Sequence, residues 1–259
     1  MSGEQEEVQA PSWLSEIVSG VQPLPPRVLL YGGHAIGKST LASLFPDPIF
    51  ISTEGGLDAL NVKSFPRSYS YEDVAIRMKQ LIRDPHPFKT CVIDSADWLV
   101  EPLIVEDVEK GKDAKELAYG KGQVMVAEEF RSVLSGLDVM RNRRNMNIVI
   151  TAHSDVKRFE NPQTEPYDQF RPKLPTRCNA LIAEWADVIG FCSLKVVIKK
   201  TDVGGFKGEV TRGVTTGDRL IHLVEKPAFV AKNRYPGGPE FIDMTIDSLR
   251  KYVPIVGFN

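Results

Sequence analysis

Gly32-Gly33-His34-Ala35-Ile36-Gly37-Lys38-Ser39 fits the spacing G-x-x-x-x-G-K-[ST], the loop that cradles nucleotide phosphates. Its glycines let the backbone curl so that successive N–H groups point inward at an anion. Lys38 is expected to reach the β- and γ-phosphates, and the Ser39 hydroxyl to ligate Mg²⁺. Thr40 follows at the start of a helix and completes the expected nucleotide-contacting run from Gly32. The flanks suit this reading. Arg27-Val28-Leu29-Leu30-Tyr31 reads as a buried strand before the loop, and Thr40 to Phe45 as a short helix stopped by Pro46. A helix N-terminus adds partial positive charge to the same anion.

Outward from the loop, apolar strands alternate with amphipathic helices, which argues a mostly parallel α/β sheet. Pro48 to Ser52, Thr90 to Ile93 and Asn147 to Thr151 read as strands. Val74, Met78, Leu81 and Ile82 stripe a helix opened by Ser70, and Gln123 to Arg141 reads as a longer one. Trp98 to Glu109 is expected to be helical, and Gly111 to Gly122 a mobile, glycine- and lysine-rich connection. Residues Ser154 to Arg177 carry Pro162, Pro166, Pro172 and Pro175 and read as a long functional loop. Val188 to Lys200 and Arg219 to Val224 read as strands around a Gly204-Gly205 turn, an antiparallel extension of the sheet. Residues 1–25 are expected to form a tail whose Met1 to Ala10 stretch is acidic. A short helix would then dock Trp13, Ile17 and Val18 on the core, and residues 26–259 would form one domain.

Composition sets wide bounds. A chain of 259 residues can bury one sizeable core. The net charge of −2 neither advertises nor excludes a basic groove for nucleic acid. Cys91, Cys178 and Cys192 are dispersed, with no disulfide or zinc spacing. No apolar run approaches the ~18 residues of a membrane span, so a soluble cytoplasmic protein is the expectation.

Four further positions carry chemistry. Asp94 ends an apolar strand, where a carboxylate faces the ligand crevice and could hold Mg²⁺ with Ser39. Asp97 reads as a helix cap. Glu54 ends the strand taken to lie beside the phosphate loop and could orient and deprotonate an attacking water. His153 ends the strand Asn147 to Thr151. It could sense the γ-phosphate and relay this to the long loop behind it. Lys232 and Arg234 follow apolar Phe229-Val230-Ala231 and suit an arginine finger for a neighbouring subunit's γ-phosphate. In the long loop, Lys157, Arg158, Arg171, Lys173 and Arg177 alternate with Phe159, Tyr167 and Phe170, a pattern suited to single-stranded nucleic acid.

Taken together, these residues resemble the RecA-like branch of P-loop ATPases. More closely, the chain is similar to phage-encoded nucleotide-binding proteins that are RecA-like single-strand annealing ATPases. The matching text runs through Pro26 to Gly33, Glu54-Gly55-Gly56-Leu57-Asp58 and Val92-Ile93-Asp94-Ser95. It continues through Tyr119 to Gly122, Ala152-His153-Ser154, Glu165 to Asp168, Glu184-Trp185-Ala186-Asp187 and Ala231 to Tyr235. The resemblance implies ATP and Mg²⁺ as cofactors and Glu54 as the water-activating glutamate. His153 would stand at the polar γ-phosphate sensor position. Lys232 and Arg234 would be a Lys-x-Arg finger pair across a subunit boundary, and the segment after His153 a DNA-binding loop. It further implies single-stranded DNA, self-association into a ring or filament, and a single-strand-binding protein as partners. The location implied is the cytoplasm of a bacterial host. An ATP-dependent small-molecule kinase and a non-hydrolysing, nucleotide-organised annealing module stay open as alternatives.

Overall fold

The computed structural model describes residues 13, 16–20, 24–162, 165–202 and 209–258, with the side chains of 197–215 set aside. The acidic start, Pro23 and the Gly204-Gly205 turn lie outside the described residues.

The chain begins its sheet with β1 (Arg27–Gly32), then α1 (Lys38–Ala42), β2 (Pro48–Ser52), β3 (Lys63–Ser64), α2 (Tyr71–Arg83) and β4 (Thr90–Asp94). Short α3 (Ala96–Trp98), α4 (Val105–Glu109) and α5 (Ala114–Leu117) lead to the long α6 (Lys121–Arg144). After it come β5 (Asn147–Phe159), β6 (Tyr167–Pro172), α7 (Thr176–Trp185), β7 (Val188–Asp202) and β8 (Glu209–His222). Finally β9 (Lys232–Asn233), β10 (Phe241–Asp243) and α8 (Ile246–Leu249) close the fold.

The strand order is β10-β8-β7-β1-β5-β4-β2-β3. The strands from β3 to β7 run parallel, and β8 and β10 add on antiparallel, so the expected α/β class and antiparallel extension are both present. Alternation along each strand sends side chains to two separate cores. Leu29, Tyr31, Ile51 and Ile93 pack under α2, α6 and α7 against Leu81, Phe130, Leu137 and Ile182. Val28, Leu30, Phe50 and Val92 pack on the other face against Leu41 of α1 and Leu249 of α8. Truncating a fully buried member such as Leu137 to Ala would cost about 2–5 kcal/mol.

Four expectations need correction. Residues 154–177 are no long loop: β5 runs on to Phe159 and pairs with β6 in register, Val156 opposite Phe170 and Phe159 opposite Tyr167. Pro162 and Pro166 fall between the strands and Pro172 ends β6, so none removes a donor from mid-ladder. The helix expected over Trp98 to Glu109 is broken at Glu101, whose φ of −121° and ψ of 107° are extended. Pro102 is the cause, because its ring excludes helical backbone at the preceding residue. Gly111 to Gly122 contains α5, opened by a reciprocal capping box between Asp113 and Glu116. Lastly, Trp13, Ile17 and Val18 are exposed rather than docked.

Candidate nucleotide site

The parallel strands deliver their carboxyl ends to one edge of the sheet, where ligands of such sheets bind. β1 ends there at Gly32, level with His153 of β5 and Cys192 of β7. A Cβ on Gly32 would sit 2.3 Å from the Cys192 carbonyl oxygen, so the strand needs glycine at this close approach. The chain turns through Gly37, whose φ of +100° is left-handed, into α1. Lys38 folds back over the loop, its Nζ donating to the carbonyls of Gly33 at 2.9 Å and Gly32 at 3.2 Å. The amine is buried, and burial lowers its pKa.

Asp94 ends β4 and is buried, with Oδ1 accepting from the Thr151 hydroxyl of β5. Glu54 lies two residues past the end of β2 and is half-buried. β2 is not the neighbour of β1 as expected, since β5 and β4 lie between them. Glu54 joins the site because the chain carries on beyond the strand end, within electrostatic reach of His153, Asp94 and Asp97. Burial raises its pKa, Asp94 and Asp97 push the same way, and His153 opposes them.

His153 has a partner that sequence reasoning missed. Asp97, expected as a helix cap, takes the His153 backbone N–H on Oδ1 at 3.0 Å and meets the ring Nδ1 with Oδ2 at 2.8 Å. Burial alone would raise the Asp97 pKa, but the bonds from His153 outweigh it and hold the carboxyl below its usual range. A carboxylate only accepts, so Nδ1 carries the proton and the ring is fixed in one tautomer. The other face of His153 stacks on His34 of the loop, centroids 4.0 Å apart at 29°. The His153 imidazole lowers the pKa of His34. The available signal for Asp97 was its place three residues after Asp94, on the first turn after the same strand.

Mg²⁺ and a nucleotide fit these residues on one local observation. Ser95 Oγ, next to Asp94, is buried without a hydrogen-bond partner among the described residues. It lies close enough to Glu54 and Asp97 to lower the pKa of both carboxyls, without a well-aligned hydrogen bond to either. A buried hydroxyl left idle beside two carboxylates suits a site that takes a further polar group. Beside the loop opens a cavity of about 750 Å³, lined by Gly33, His34 and Ile36 and by the rings of Phe170, Phe191, His222 and Phe241.

Residues 24–235 match the family described as AAA domain. The chain belongs to the AAA domain family. No curated protein matches the chain. A crystal structure of the RadB recombinase is similar at 13% identity, covering 85% of this chain and 87% of that one with a TM-score of 0.46. Among the described residues, no helix is long and apolar enough to cross a membrane.

The AAA domain does not bring every expected residue to this edge. Lys232 and Arg234 lie at the other end of the strands. Lys232 pairs opposite Ile189, Ile189 lies level with Leu29, and Gly32 is three residues farther along β1, about 10 Å at ~3.3 Å per residue. Lys232 Nζ donates to the Ala183 carbonyl at 2.7 Å, at the end of α7. Arg234 Nη1 reaches Asp187 at 3.1 Å, and Arg27 holds the same buried carboxylate at 2.8 Å.

The cations expected to contact DNA are divided too. In this AAA domain Lys157 and Arg171 share one face of the β5–β6 hairpin with Phe159 and Tyr167, and Arg171 lies over the Phe159 ring at 4.9 Å. Arg158 is on the opposite face with Val156 and Phe170. Lys173 lies just past β6, and Arg177 belongs to α7. Asp155 pairs with Lys157 at 2.8 Å and Glu160 with Arg158 at 3.6 Å, so part of the charge is spent locally.

One link joins these regions. The buried Tyr31 hydroxyl, one residue before Gly32, lies 2.6 Å from the Val230 carbonyl and 3.1 Å from that of Phe170 in β6.

Proposed function

We propose that the chain is a RecA-like ATPase that binds single-stranded DNA as an oligomer and promotes annealing or strand exchange in phage recombination. Residues 26–259 act as one ATPase domain with ATP between subunits. The observation that carries this reading is the gathering of Lys38, Asp94, Glu54 and His153 at the carboxyl ends of four parallel strands.

Residues Gly32 to Thr40 hold the phosphates through backbone N–H groups and Lys38, and Ser39 and Asp94 hold Mg²⁺. The metal, when bound, would neutralise negative charge on the phosphates. Glu54 orients a water molecule and takes one of its protons as the oxygen bonds to the γ-phosphorus, while the bond from that phosphorus to the β–γ oxygen breaks and ADP leaves. Its raised pKa makes it a better base than an ordinary carboxylate. His153, held by Asp97, responds to the γ-phosphate, and Lys232 and Arg234 serve the neighbouring subunit's phosphate. The position of Lys232 and Arg234 far from their own loop favours that role in trans over one in cis. The β5–β6 hairpin begins just beyond His153 and takes the DNA, so nucleotide state sets DNA affinity.

The test is steady-state ATP hydrolysis with and without single-stranded DNA across protein concentration. The rate per subunit is expected to rise with both. A rate indifferent to DNA and to concentration overturns the reading.

A further inference from the structure

We infer that Arg219 of β8 is a phosphate-binding residue in cis, closing over the nucleotide from the antiparallel extension of the sheet. This rests on the nucleotide reading of the loop and adds a contact that the loop motif does not contain. β8 pairs with β7 so that Arg219 stands opposite Leu194, two residues beyond the Cys192 that lies level with Gly32. Arg219 therefore projects past the end of β1, at the height of the loop. Strand alternation puts it on the same face as Ile221, which packs in the core beneath α1. The guanidinium reaches Gly37 itself: a Cβ built there would lie 2.7 Å from Nη1 and 3.7 Å from Cζ.

Among the described residues, no hydrogen bond or ion pair engages the Arg219 guanidinium. The adjacent Asp218 is instead taken up by Thr216 at 3.0 Å and Lys195 at 3.9 Å. An arginine laid against a phosphate loop without a carboxylate partner keeps its donors free for an anion. Its planar fork suits phosphate oxygens better than a lysine does. Arg219 is exposed, so it can swing aside for entry and return.

The experiment titrates Mg-ATP, Mg-ADP and AMP into wild type, Arg219→Ala, Arg219→Lys and Lys38→Ala by calorimetry. Thermal unfolding without nucleotide confirms that each variant folds. Arg219→Ala is expected to bind ATP and ADP about tenfold more weakly, with Arg219→Lys between it and wild type. Wild-type affinity for ATP and ADP in Arg219→Ala, alongside lost binding in Lys38→Ala, overturns the inference and leaves the nucleotide reading intact. A folded wild type that binds none of the three overturns that reading, and the arginine's role with it.

Discussion

Glu54 is held above the usual carboxylate range, which sets two opposite demands on one side chain. A group whose pKa is raised on folding contributes stability at acid pH, and that contribution is lost as pH rises through its folded value. At neutral pH the ionised Glu54 is therefore a cost to the fold. Glu54→Gln keeps a neutral side chain at every pH. It is expected to raise the midpoint of thermal unfolding at pH 7 while abolishing hydrolysis and sparing nucleotide binding. In wild type, the acid limb of the rate profile should lie above the normal glutamate range. A variant less stable than wild type at pH 7 contradicts this assignment of strain to the carboxylate. Asp97 runs the other way: its lowered pKa adds stability above the usual carboxylate range that is lost as pH falls through the folded value. With Nδ1 committed to Asp97, the His153 Nε2 can donate to a phosphate oxygen only when the ring holds a second proton. Asp94, Glu54 and His153 were legible in the sequence because each lies at or just past the end of an apolar run. Asp97 and Arg219 were not, because their partners are 56 residues away for Asp97 and across the sheet for Arg219.

Among elements, the β5–β6 hairpin was the hardest to read. Its proline count suggested a loop, yet what matters to a ladder is where each ring falls, and these fall at the ends. The pairing changes the DNA prediction. Lys157 and Arg171 share one face with Phe159 and Tyr167, so under the proposed function they would act together, the rings stacking on bases. Lys157→Glu or Arg171→Glu is expected to weaken single-stranded DNA binding by on the order of tenfold at low salt and to flatten the salt dependence. Arg158→Glu, on the other face, should do less. Fluorescence anisotropy across a salt series measures this, and equal losses from all three would show that the faces do not matter. The break at Pro102 was missed although proline disfavours helix at the residue before it, so the expected helix ran through a legible stop.

For the whole molecule, the sheet and its antiparallel extension could be read from strand spacing, because burial on both faces writes continuous apolar runs. The proposed assembly could not, as a surface that would meet a second copy carries no periodicity. The proposed fingers predict complementation. Arg234→Ala and Glu54→Gln, each inactive alone, should recover hydrolysis when mixed, because some boundaries then join an intact Glu54 to an intact Arg234. No recovery in a mixture that still co-assembles would place the arginine outside the neighbour's site. Arg234 must leave Asp187 to act, and Arg27 and Arg141 remain to hold that carboxylate when it does.

Tyr31 bears on that movement. A phenol has one hydrogen, but two carbonyls crowd its oxygen, one from the strand returning from the hairpin and one from the stretch leading to Lys232. The bond is bifurcated, so whichever carbonyl withdraws hands the proton to the other. Displacement at the hairpin is thereby recorded as a stronger grip on Val230, and the two segments cannot both tighten on the phenol at once.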